Sequence, residues 1–589
     1  SGGDAMNWTA TGKDRIKRRN RRILVIGWVF SILYLVIGVK AFYVQIIQDA
    51  DLSRQASCEY KKAIKSKGRR GTIYDVNMKE LVVSTGVTSV GAHPEQIKSP
   101  HDAARSIAEH LDVSEKAVCN RLSKDAPFVW VDRDASPLQA KAVNRLDIAG
   151  LEFIPGYCRV YPNKRLAAQV LGFAGVDGTG LEGLEYFYDD YLRGSQRQWT
   201  IVKDALGRIF HREAEARPDY AGKNLVLTID SNIQFIAERA VEAAVEEYGA
   251  KSGMAVVMVP QTGAIRAIAH YPSFDPNSFG EYTQERWRNR AITDPFEPGS
   301  VMKVFMAAAA LESGVCSPYT MVDCENGSYC TGGHVIHDTH PHEQLTLKEV
   351  IQFSSNIGAA KIAERVGPER LYETLRAFGF GKKTGIDCPG ETAGRLRHYQ
   401  GWRTIDHATI AFGQGVSVSA VQLLSAISAV ANQGVVMKPR IVKAITDENG
   451  RIIETRPPET RGRAVSARTA GILKDMMFSV TSEEGTGSRA VPAGYTVCGK
   501  TGTAQKINSR GTYENCEYNG VFVGFSPKAA PKLAALVVID EPQKHHYGGV
   551  VAAPAFRRIV LESFNYLDIP PHQESRNYNV AVKSRKKGA

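Results

Sequence analysis

Residues 23-ILVIGWVFSILYLVIGV-39 are an unbroken run of uncharged, mostly apolar positions, and 41-AFYVQII-47 prolongs it beyond Lys40. An α-helix needs about 20 such residues to cross a bilayer. The run therefore fixes the layout of the whole chain. Seven basic side chains and one acid precede it in 13-KDRIKRRNRR-22. The positive-inside rule then keeps the N-terminus in the cytoplasm and sends the remaining residues, about 540 of the 589, to the other side. A cleaved signal peptide fits less well, because the run is long and no small-x-small cleavage site follows it. The leading Ser1-Gly2-Gly3 reads as an expression scar.

The net charge of +12 is gathered at the chain ends, the second basic run being 583-KSRKKGA-589. Basic ends suit nucleic acid or an anionic membrane face; the apolar run selects the membrane, and no nucleic-acid partner is expected. A length of 589 residues exceeds one ordinary core, so two or more domains are expected. Hydrophobic and charged contents of 43% and 23% are those of a globular protein. The nine cysteines are odd in number and scattered, from Cys58 to Cys516, so they form no dense disulfide framework. No Walker loop, dinucleotide fingerprint or CxxC zinc ribbon is present.

Beyond the anchor, 69-RRGTIYDVNMKELVVSTGV-87 alternates as strands about a turn at Asn77. Residues 101–124 read as two short helices, and 157–194 as a Gly-rich loop followed by a helix. This part is expected to be a non-catalytic α+β domain. The pattern changes near residue 223. A strand, 224-NLVLTID-230, precedes an amphipathic helix over 231–249, and 254-MAVVMVP-260 with 264-AIRAIAHY-271 makes a hairpin. Helices follow, through 418–434. The chain then returns to strands at 495–506, 520–527 and 533–542. Strands, helices, then strands predict an antiparallel sheet assembled from both ends of the domain, with helices packed on it. The residues after 566 read as a loose tail.

Three short motifs occur in order inside that second domain: Ser300-Val301-Met302-Lys303, 354-SSN-356 and 500-KTGT-503. Singly each is weak. Ser-x-x-Lys recurs at Ser584 and Lys587, and Lys-Thr-Gly recurs at 383-KTG-385. That second copy leads into the turn-rich 386-IDCPGE-391, whereas Lys500 sits on an alternating strand with two more strands downstream. Residues i and i+3 share a helix face, so Lys303 is expected to reach Ser300 Oγ. A helix N-terminus stabilises negative charge on the serine oxygen and disfavours a protonated lysine. Burial acts in the same direction. A neutral lysine would take the serine proton and make a weak nucleophile strong. The plain alternatives are a capping serine at Ser300 and a loop or cap at 353-FSSN-356.

Ser-x-x-Lys, Ser-x-Asn and Lys-Thr-Gly are the motif set of penicillin-binding proteins and class A β-lactamases. The chain resembles the class B penicillin-binding proteins over almost its whole length, and within them the FtsI-like septal branch. The anchor, 70-RGTIYD-75, 159-RVYPNKRLAAQVLGFAGVDGTGLEGLE-185, 296-FEPGSVMK-303, 354-SSNIGAAKIAERVG-367, 499-GKTGTAQK-506 and 549-GVVAAPAF-556 look like family blocks in family order. One departure is Val76-Asn77-Met78, where the family pattern is Arg-Asn-Gly. Glu297-Pro298-Gly299 resembles the septal branch. No glycosyltransferase domain or repeated C-terminal module is visible, so the chain reads as monofunctional.

The resemblance implies a peptidoglycan D,D-transpeptidase that cross-links stem peptides ending in D-Ala-D-Ala, and a target of β-lactams. Ser300 is then the nucleophile, Lys303 its base, and Ser354 the relay to the leaving group. Asn356 holds the peptide amide, and Lys500, Thr501, Gly502 and Thr503 receive the terminal carboxylate. The backbone amides of Ser300 and Thr503 form the oxyanion hole. The resemblance implies an FtsW-type glycosyltransferase and other division proteins as partners, in the inner membrane, with the catalytic domain in the periplasm. It also implies a serine β-lactamase-like α+β fold divided into a basic tail (1–22), an anchor (23–47), a dimerisation-like pedestal (48–222), a transpeptidase domain (223–566) and a tail (567–589). No cofactor is expected. The alternatives are the elongation-type enzyme, a D,D-carboxypeptidase or β-lactamase in which water resolves the acyl-enzyme, and a non-enzymatic β-lactam-binding scaffold.

One segment stays open. In 323-DCENGSYCTGGHVIHDTHPHEQ-344, Cys324 and Cys330 are spaced to bridge around the Asn326-Gly327 turn if the compartment is oxidising. The four histidines beside them make a zinc-ligand composition. The plainer reading is a surface loop turning at Asp338-Thr339, and no metal is assigned.

Overall fold

Alternating apolar residues and helical stripes of this kind bury one face each, and the computed structural model shows where those faces go. It describes residues 10–48, 61–66, 68–194, 197–203, 209–214, 221–506 and 517–571. Cys58, Cys516 and the basic C-terminal run lie outside the described residues. The chain divides into two units, Ser1–Ser66 with Gln196–Pro218, and Lys67–Ser195 with Asp219–Ala589.

In the first unit the N-terminal helix, Ala10–Phe42, takes in the basic stretch and continues as a π-helical turn, Tyr43–Ile47. Arg19–Ile47 is long and apolar enough to cross a membrane, with a mean hydropathy of 2.3 and none of that window buried by protein. Exposed Ile, Leu, Val and Phe side chains along the helix are what a lipid-facing surface requires. The same unit holds a three-stranded antiparallel sheet with Arg197–Lys203 between Lys61–Ser66 and Ile209–Ala214.

The second unit contains two larger sheets. One has seven strands. Its path runs Ile452–Thr455, Val442–Thr446, Asn224–Leu227, Ile73–Tyr74, Glu80–Ala92 and Val129–Ala135, with Leu151–Val160 paired to Glu80–Ala92. It is antiparallel except where Ile73–Tyr74 runs parallel to Asn224–Leu227. The expected turn at Asn77 is present: Asp75 Oδ1 accepts from the amides of Asn77 and Lys79, each at 2.8 Å. The left-handed residue of that turn is Met78, at φ 62°, where the resembled pattern has glycine. The two expected helices are Pro100–Ala108 and Glu115–Leu122; Ala104, Ile107, Val118 and Leu122 pack against Val90 and Val131 of the sheet.

The helix expected after the Gly-rich loop of 157–194 is broken into Gly183–Phe187 and Asp189–Leu192. Its acids are needed inside. Glu185, fully buried, accepts from Arg70 Nε at 2.5 Å and Arg159 Nε at 2.6 Å, and Asp189 accepts from Arg70 Nη1 at 2.5 Å. At the break, the Tyr188 hydroxyl donates to Asp387 at 3.0 Å. The strand expected over 224–230 stops at Leu227, because Asp230 turns to cap the next helix through the amides of Asn232 and Ile233.

That helix, α1 (Ser231–Tyr248), opens the segment bearing the motifs. The hairpin strands β1 (Ser252–Val259) and β2 (Ala264–Tyr271) follow. The helical block includes α2 (Lys303–Glu312), α3 (Leu347–Phe353), α4 (Asn356–Val366) and α5 (Ala420–Ala431). Strands β3 (Cys498–Gln505), β4 (Tyr518–Ser526) and β5 (Leu533–Asp540) and helix α6 (Ala553–Tyr566) end the fold. The sheet order is β2-β1-β5-β4-β3, antiparallel throughout, so both ends of this segment contribute strands, as the sequence predicts. Alternation sorts its side chains. Ala255, Val257 and Val537 face a core with Val241 of α1 and Phe556 of α6, while Val256, Met258 and Leu536 face one with Phe305 of α2 and Leu423 of α5. Strand β3, at one edge of the sheet, carries Lys500.

Candidate active site

A single turn brings Ser300 to this edge strand. The segment before it is pinned by a backbone bridge between Phe296 and Val418, with N···O distances of 3.0 and 2.9 Å. Gly299 then adopts φ 55°, and a Cβ at that position would lie 2.7 Å from the Thr503 carbonyl oxygen. Gly502 meets the turn from the other side, its own added Cβ lying 2.8 Å from the Pro298 oxygen. Two glycines thus let the serine turn rest directly on the Lys500–Thr503 strand. Residues Gly299–Met302 form a 3₁₀ turn that runs into α2, so the α-helix begins at Lys303, not at Ser300. In a 3₁₀ turn positions i and i+3 eclipse, which keeps Ser300 and Lys303 on one side. The cap position of that turn is Pro298, so Ser300 lies inside the turn and not at its cap.

Lys303 is fully buried. Its amine does not take the expected partner. Nζ donates to the Ser354 carbonyl at 2.5 Å, to Asn356 Oδ1 at 2.7 Å and to Ser354 Oγ at 3.2 Å. The (CH₂)₄ stem delivers the amine to the acceptors of the second motif. Lys500, also fully buried, donates to Ser354 Oγ at 3.0 Å and to Thr501 O and Oγ1 at 3.2 and 3.4 Å. The Ser354 hydroxyl therefore lies between two amines. Burial, reinforced by the charge of Lys500 and opposed by Asp338, holds Lys303 well below the ordinary lysine range. Burial pushes Lys500 down to about 7.

Ser354 and Asn356 reach the amines because two helices turn a corner between them. Ser354 ends α3 in the left-handed region at φ 64°, a conformation that costs a non-glycine residue about 1–3 kcal/mol. Ser355 caps α4, accepting from the Gly358 amide at 2.9 Å. The cap reading of 353-FSSN-356 thus applies to Ser355, and its two neighbours turn into the site. A further acid completes the corner. Asp338 accepts from Ser355 Oγ and the Asn356 amide, each at 2.5 Å, and from the Ile357 amide at 3.1 Å. The Asn356 side-chain amide donates to the His337 carbonyl at 3.0 Å.

On β3, Thr501 Oγ1 shares a hydrogen with Thr486 Oγ1 at 2.9 Å, and Thr503 Oγ1 accepts from the Gly548 amide at 3.2 Å. Asp338, Thr486 and Gly548 were not candidates in the sequence. Asp338 and Thr486 lie in segments without periodicity and Gly548 opens the short helix Gly548–Val551, while Gly485-Thr486-Gly487 offers only a glycine-flanked hydroxyl as a signal. A cavity of about 480 Å³ adjoins the site. It is lined by Phe296 and Glu297, just before the serine turn, and by Ala504, Gln505 and Lys506, just after Thr503. Ser300, Lys303 and Ser354 lie outside its lining.

The other Lys-Thr-Gly is occupied from within. Glu391 accepts from the Thr384 amide and hydroxyl, each at 2.5 Å, and from the Gly385 amide at 3.0 Å. The Cys/His segment is a hairpin, Ser328–Thr331 with His334–His337. Cys324 is buried, Cys330 is exposed, and both are free thiols. The disulfide is not formed, because Cys324 turns inward to within 3.5 Å of Ser355 Oγ while Cys330 stands on the hairpin surface. Among the described residues no three Cys, His, Asp or Glu side chains converge as a metal site.

A hydroxyl on a turn, a buried amine of lowered proton affinity, a hydroxyl between two amines and a threonine-lined strand are groups that acyl transfer can use. The model of the penicillin-binding protein transpeptidase domain matches residues 253–561, and that of the penicillin-binding protein dimerisation domain matches 65–227. The chain is 33% identical over 558 residues to the probable peptidoglycan D,D-transpeptidase PbpC of Pseudomonas aeruginosa, covering 94% of this chain and 97% of that one. It is 30% identical over 573 residues to the peptidoglycan D,D-transpeptidase FtsI of Escherichia coli, covering 94% of each. Among solved structures, penicillin-binding protein 3 of Mycobacterium tuberculosis complexed with aztreonam superposes with a TM-score of 0.67 at 30% identity, over 87% of this chain and 98% of that one.

Proposed function

The chain belongs to the class B penicillin-binding proteins, and we propose that Ser300 is the nucleophile of its peptidoglycan D,D-transpeptidase reaction, with Lys303 as base. The observation that carries this reading is the Ser354 hydroxyl, 3.2 Å from Lys303 Nζ and 3.0 Å from Lys500 Nζ, where all three motifs meet. Ser300 Oγ attacks the penultimate D-alanine carbonyl of a stem pentapeptide as its proton passes to neutral Lys303. The oxyanion faces the backbone amides of Ser300 and Thr503, a kind of donor worth about 3 kcal/mol each. Collapse breaks the peptide bond. The departing D-alanine nitrogen takes a proton through Ser354, and an ester on Ser300 remains. An amine from a second stem peptide attacks that ester, forms the cross-link and returns the proton to Ser300. Lys500, Thr501, Gly502 and Thr503 hold the terminal carboxylate, with Thr486 orienting the Thr501 hydroxyl. Asn356 holds the peptide amide. β-Lactams acylate the same serine. Intact mass after incubation with a labelled penicillin, followed by peptide mapping, tests the assignment: the adduct is expected on Ser300 and absent from a folded Ser300→Ala variant. Undiminished labelling of that variant removes Ser300 from the role.

We further propose that the branch is septal. Its support is the Phe296-Glu297-Pro298-Gly299 pattern, the 354-SSNIGAA-360 run and the similarity to FtsI. Glu297 accepts from the Gly415 amide at 2.8 Å, tying the serine turn to the neighbouring loop. Residues 23–47 anchor the chain in the inner membrane with the N-terminus cytoplasmic, 48–222 form a pedestal and 223–566 the periplasmic transpeptidase domain. One anchor does not aim a catalytic domain at a single place on the membrane. Anchor and pedestal therefore serve as contact surfaces for an FtsW-type glycosyltransferase and other division proteins. Depletion is expected to give long unseptated filaments, and a fluorescent fusion to gather at midcell. Rounded cells with side-wall signal move the protein to the elongation branch.

A further inference from the structure

Asp338 lies just past the hairpin formed by Ser328–Thr331 and His334–His337, half-buried, in a loop that the three motifs do not touch in sequence. Its carboxylate nevertheless closes the corner between α3 and α4. It accepts three hydrogen bonds, from Ser355 Oγ at 2.5 Å and the amides of Asn356 and Ile357 at 2.5 and 3.1 Å. A carboxylate over the first amides of a helix is favoured by the orphan N–H groups and the helix dipole together. Helix capping alone is already supplied by Ser355. Asp338 adds two further restraints. It holds Ser355, whose immediate neighbour Ser354 stays in a left-handed conformation that costs free energy. Through the adjoining His337 carbonyl, which accepts from Asn356 Nδ2 at 3.0 Å, the same loop turns Asn356 Oδ1 toward Lys303 Nζ, 2.7 Å away.

We propose that Asp338 is a positioning residue for acylation: it clamps Ser354 and Asn356 against Lys303, and so makes the reactive geometry depend on the seating of the Ser328–His337 hairpin. The proposal rests on the roles of Ser300 and Lys303 given above. Two consequences separate it from a purely structural cap. Loss of the clamp lets Ser354 relax, so the rate of acylation falls. Loss of the negative charge also changes the field at Lys303. The charged groups facing that amine are Lys500 on β3 and Asp338; Asp338 in turn faces the Cys324 thiol, and Lys361 of α4 is ion-paired with Glu325 at 2.5 Å. Asp338 is the one that favours protonated Lys303, so its removal lowers the proton affinity of the base, and neutral Lys303 persists to lower pH.

The test is the second-order rate of acylation by a fluorescent penicillin, followed from pH 5 to pH 9 on the full-length protein in detergent, with melting temperature as a fold check. For Asp338→Asn the plateau is expected to fall about tenfold or more while the acid limb moves to lower pH. For Ser355→Ala, which keeps the carboxylate but removes one of its donors, the plateau is expected to fall about threefold with the limb where the wild type has it. An unmoved limb in Asp338→Asn overturns the proposal whatever its plateau. An equally moved limb or an undiminished plateau in Ser355→Ala overturns it as well, and that variant decides alone if Asp338→Asn does not fold. A wild-type protein that takes up no penicillin, or a Ser300→Ala variant that does, is instead a failure of the proposed chemistry.

Discussion

Gly299 and Gly314 bracket α2 and differ in one respect. Both have positive φ, 55° and 70°, so alanine at either position pays about 1–2 kcal/mol for the left-handed backbone. At Gly314 an added Cβ meets nothing within 4 Å. At Gly299 it lies 2.7 Å from the Thr503 carbonyl oxygen, against an ordinary contact distance of 3.4 Å or more, and that oxygen belongs to backbone that cannot swing aside. The serine turn and β3 must then part by roughly the 0.7 Å difference between these distances. Misplacement by 1 Å costs about a hundredfold in rate, so this displacement predicts a loss of about twenty- to thirtyfold. Both variants should therefore lose the shared backbone cost in thermal unfolding, Gly299→Ala losing more because of its clash, and only Gly299→Ala should lose acylation by labelled penicillin. Equal acylation by the two variants would show that the close approach of turn and strand does not set the geometry, and the reasoning would fail.

The other predictions concern stability and thiol reactivity. Glu185→Gln leaves Arg70 and Arg159 without their shared buried carboxylate and should destabilise the fold by about 3–5 kcal/mol in denaturant titration; a loss under about 1 kcal/mol would mean that the cluster is solvated. Lys500 titrates near 7 when folded and near 10.5 when unfolded, so between those values the unfolded chain holds the extra proton and stability rises with pH. The melting temperature of the wild type relative to Lys500→Met should climb from pH 7 towards pH 10, and a flat difference contradicts the burial argument. Cys330 should react with maleimide in the native protein while Cys324 is protected; a 324–330 peptide recovered as a disulfide contradicts the free thiols.

The sequence showed those features of the fold that rest on local periodicity. The apolar run Ala255-Val256-Val257-Met258, closed by the turn at Gln261-Thr262-Gly263, marks a strand buried on both faces, each face with its own core. The three motifs were legible for the same reason: their spacing is local. Their meeting point was not. Lys303 was expected at Ser300 Oγ, and a flexible stem took it to Ser354 and Asn356, whose positions depend on a corner between two helices. The helix expected after the Gly-rich loop of 157–194 breaks at Tyr188, because Glu185 and Asp189 are drawn to Arg70, more than a hundred residues earlier. Asp338 and Thr486 had no pattern at all. A loop residue gains its role from the element it lands on, and that landing is set by tertiary packing.

The seven-stranded sheet has a consequence for how the chain acquires its structure. Asn224–Leu227 lies between Ile73–Tyr74 and Val442–Thr446, so hydrogen bonds join segments about 150 and about 220 residues apart. Closing loops of that size is entropically costly, and contacts so distant in sequence form late. The N-terminal part of this sheet cannot be completed as it emerges from synthesis, since its partner strand arrives only from residue 442 onward. Until then Asn224–Leu227 has an unpaired edge of backbone N–H and C=O groups, the kind of surface that recruits foreign strands. The interval between the arrival of residue 227 and that of residue 446 is thus the period in which this chain is most exposed to misassembly, and in which a holding chaperone has most to protect.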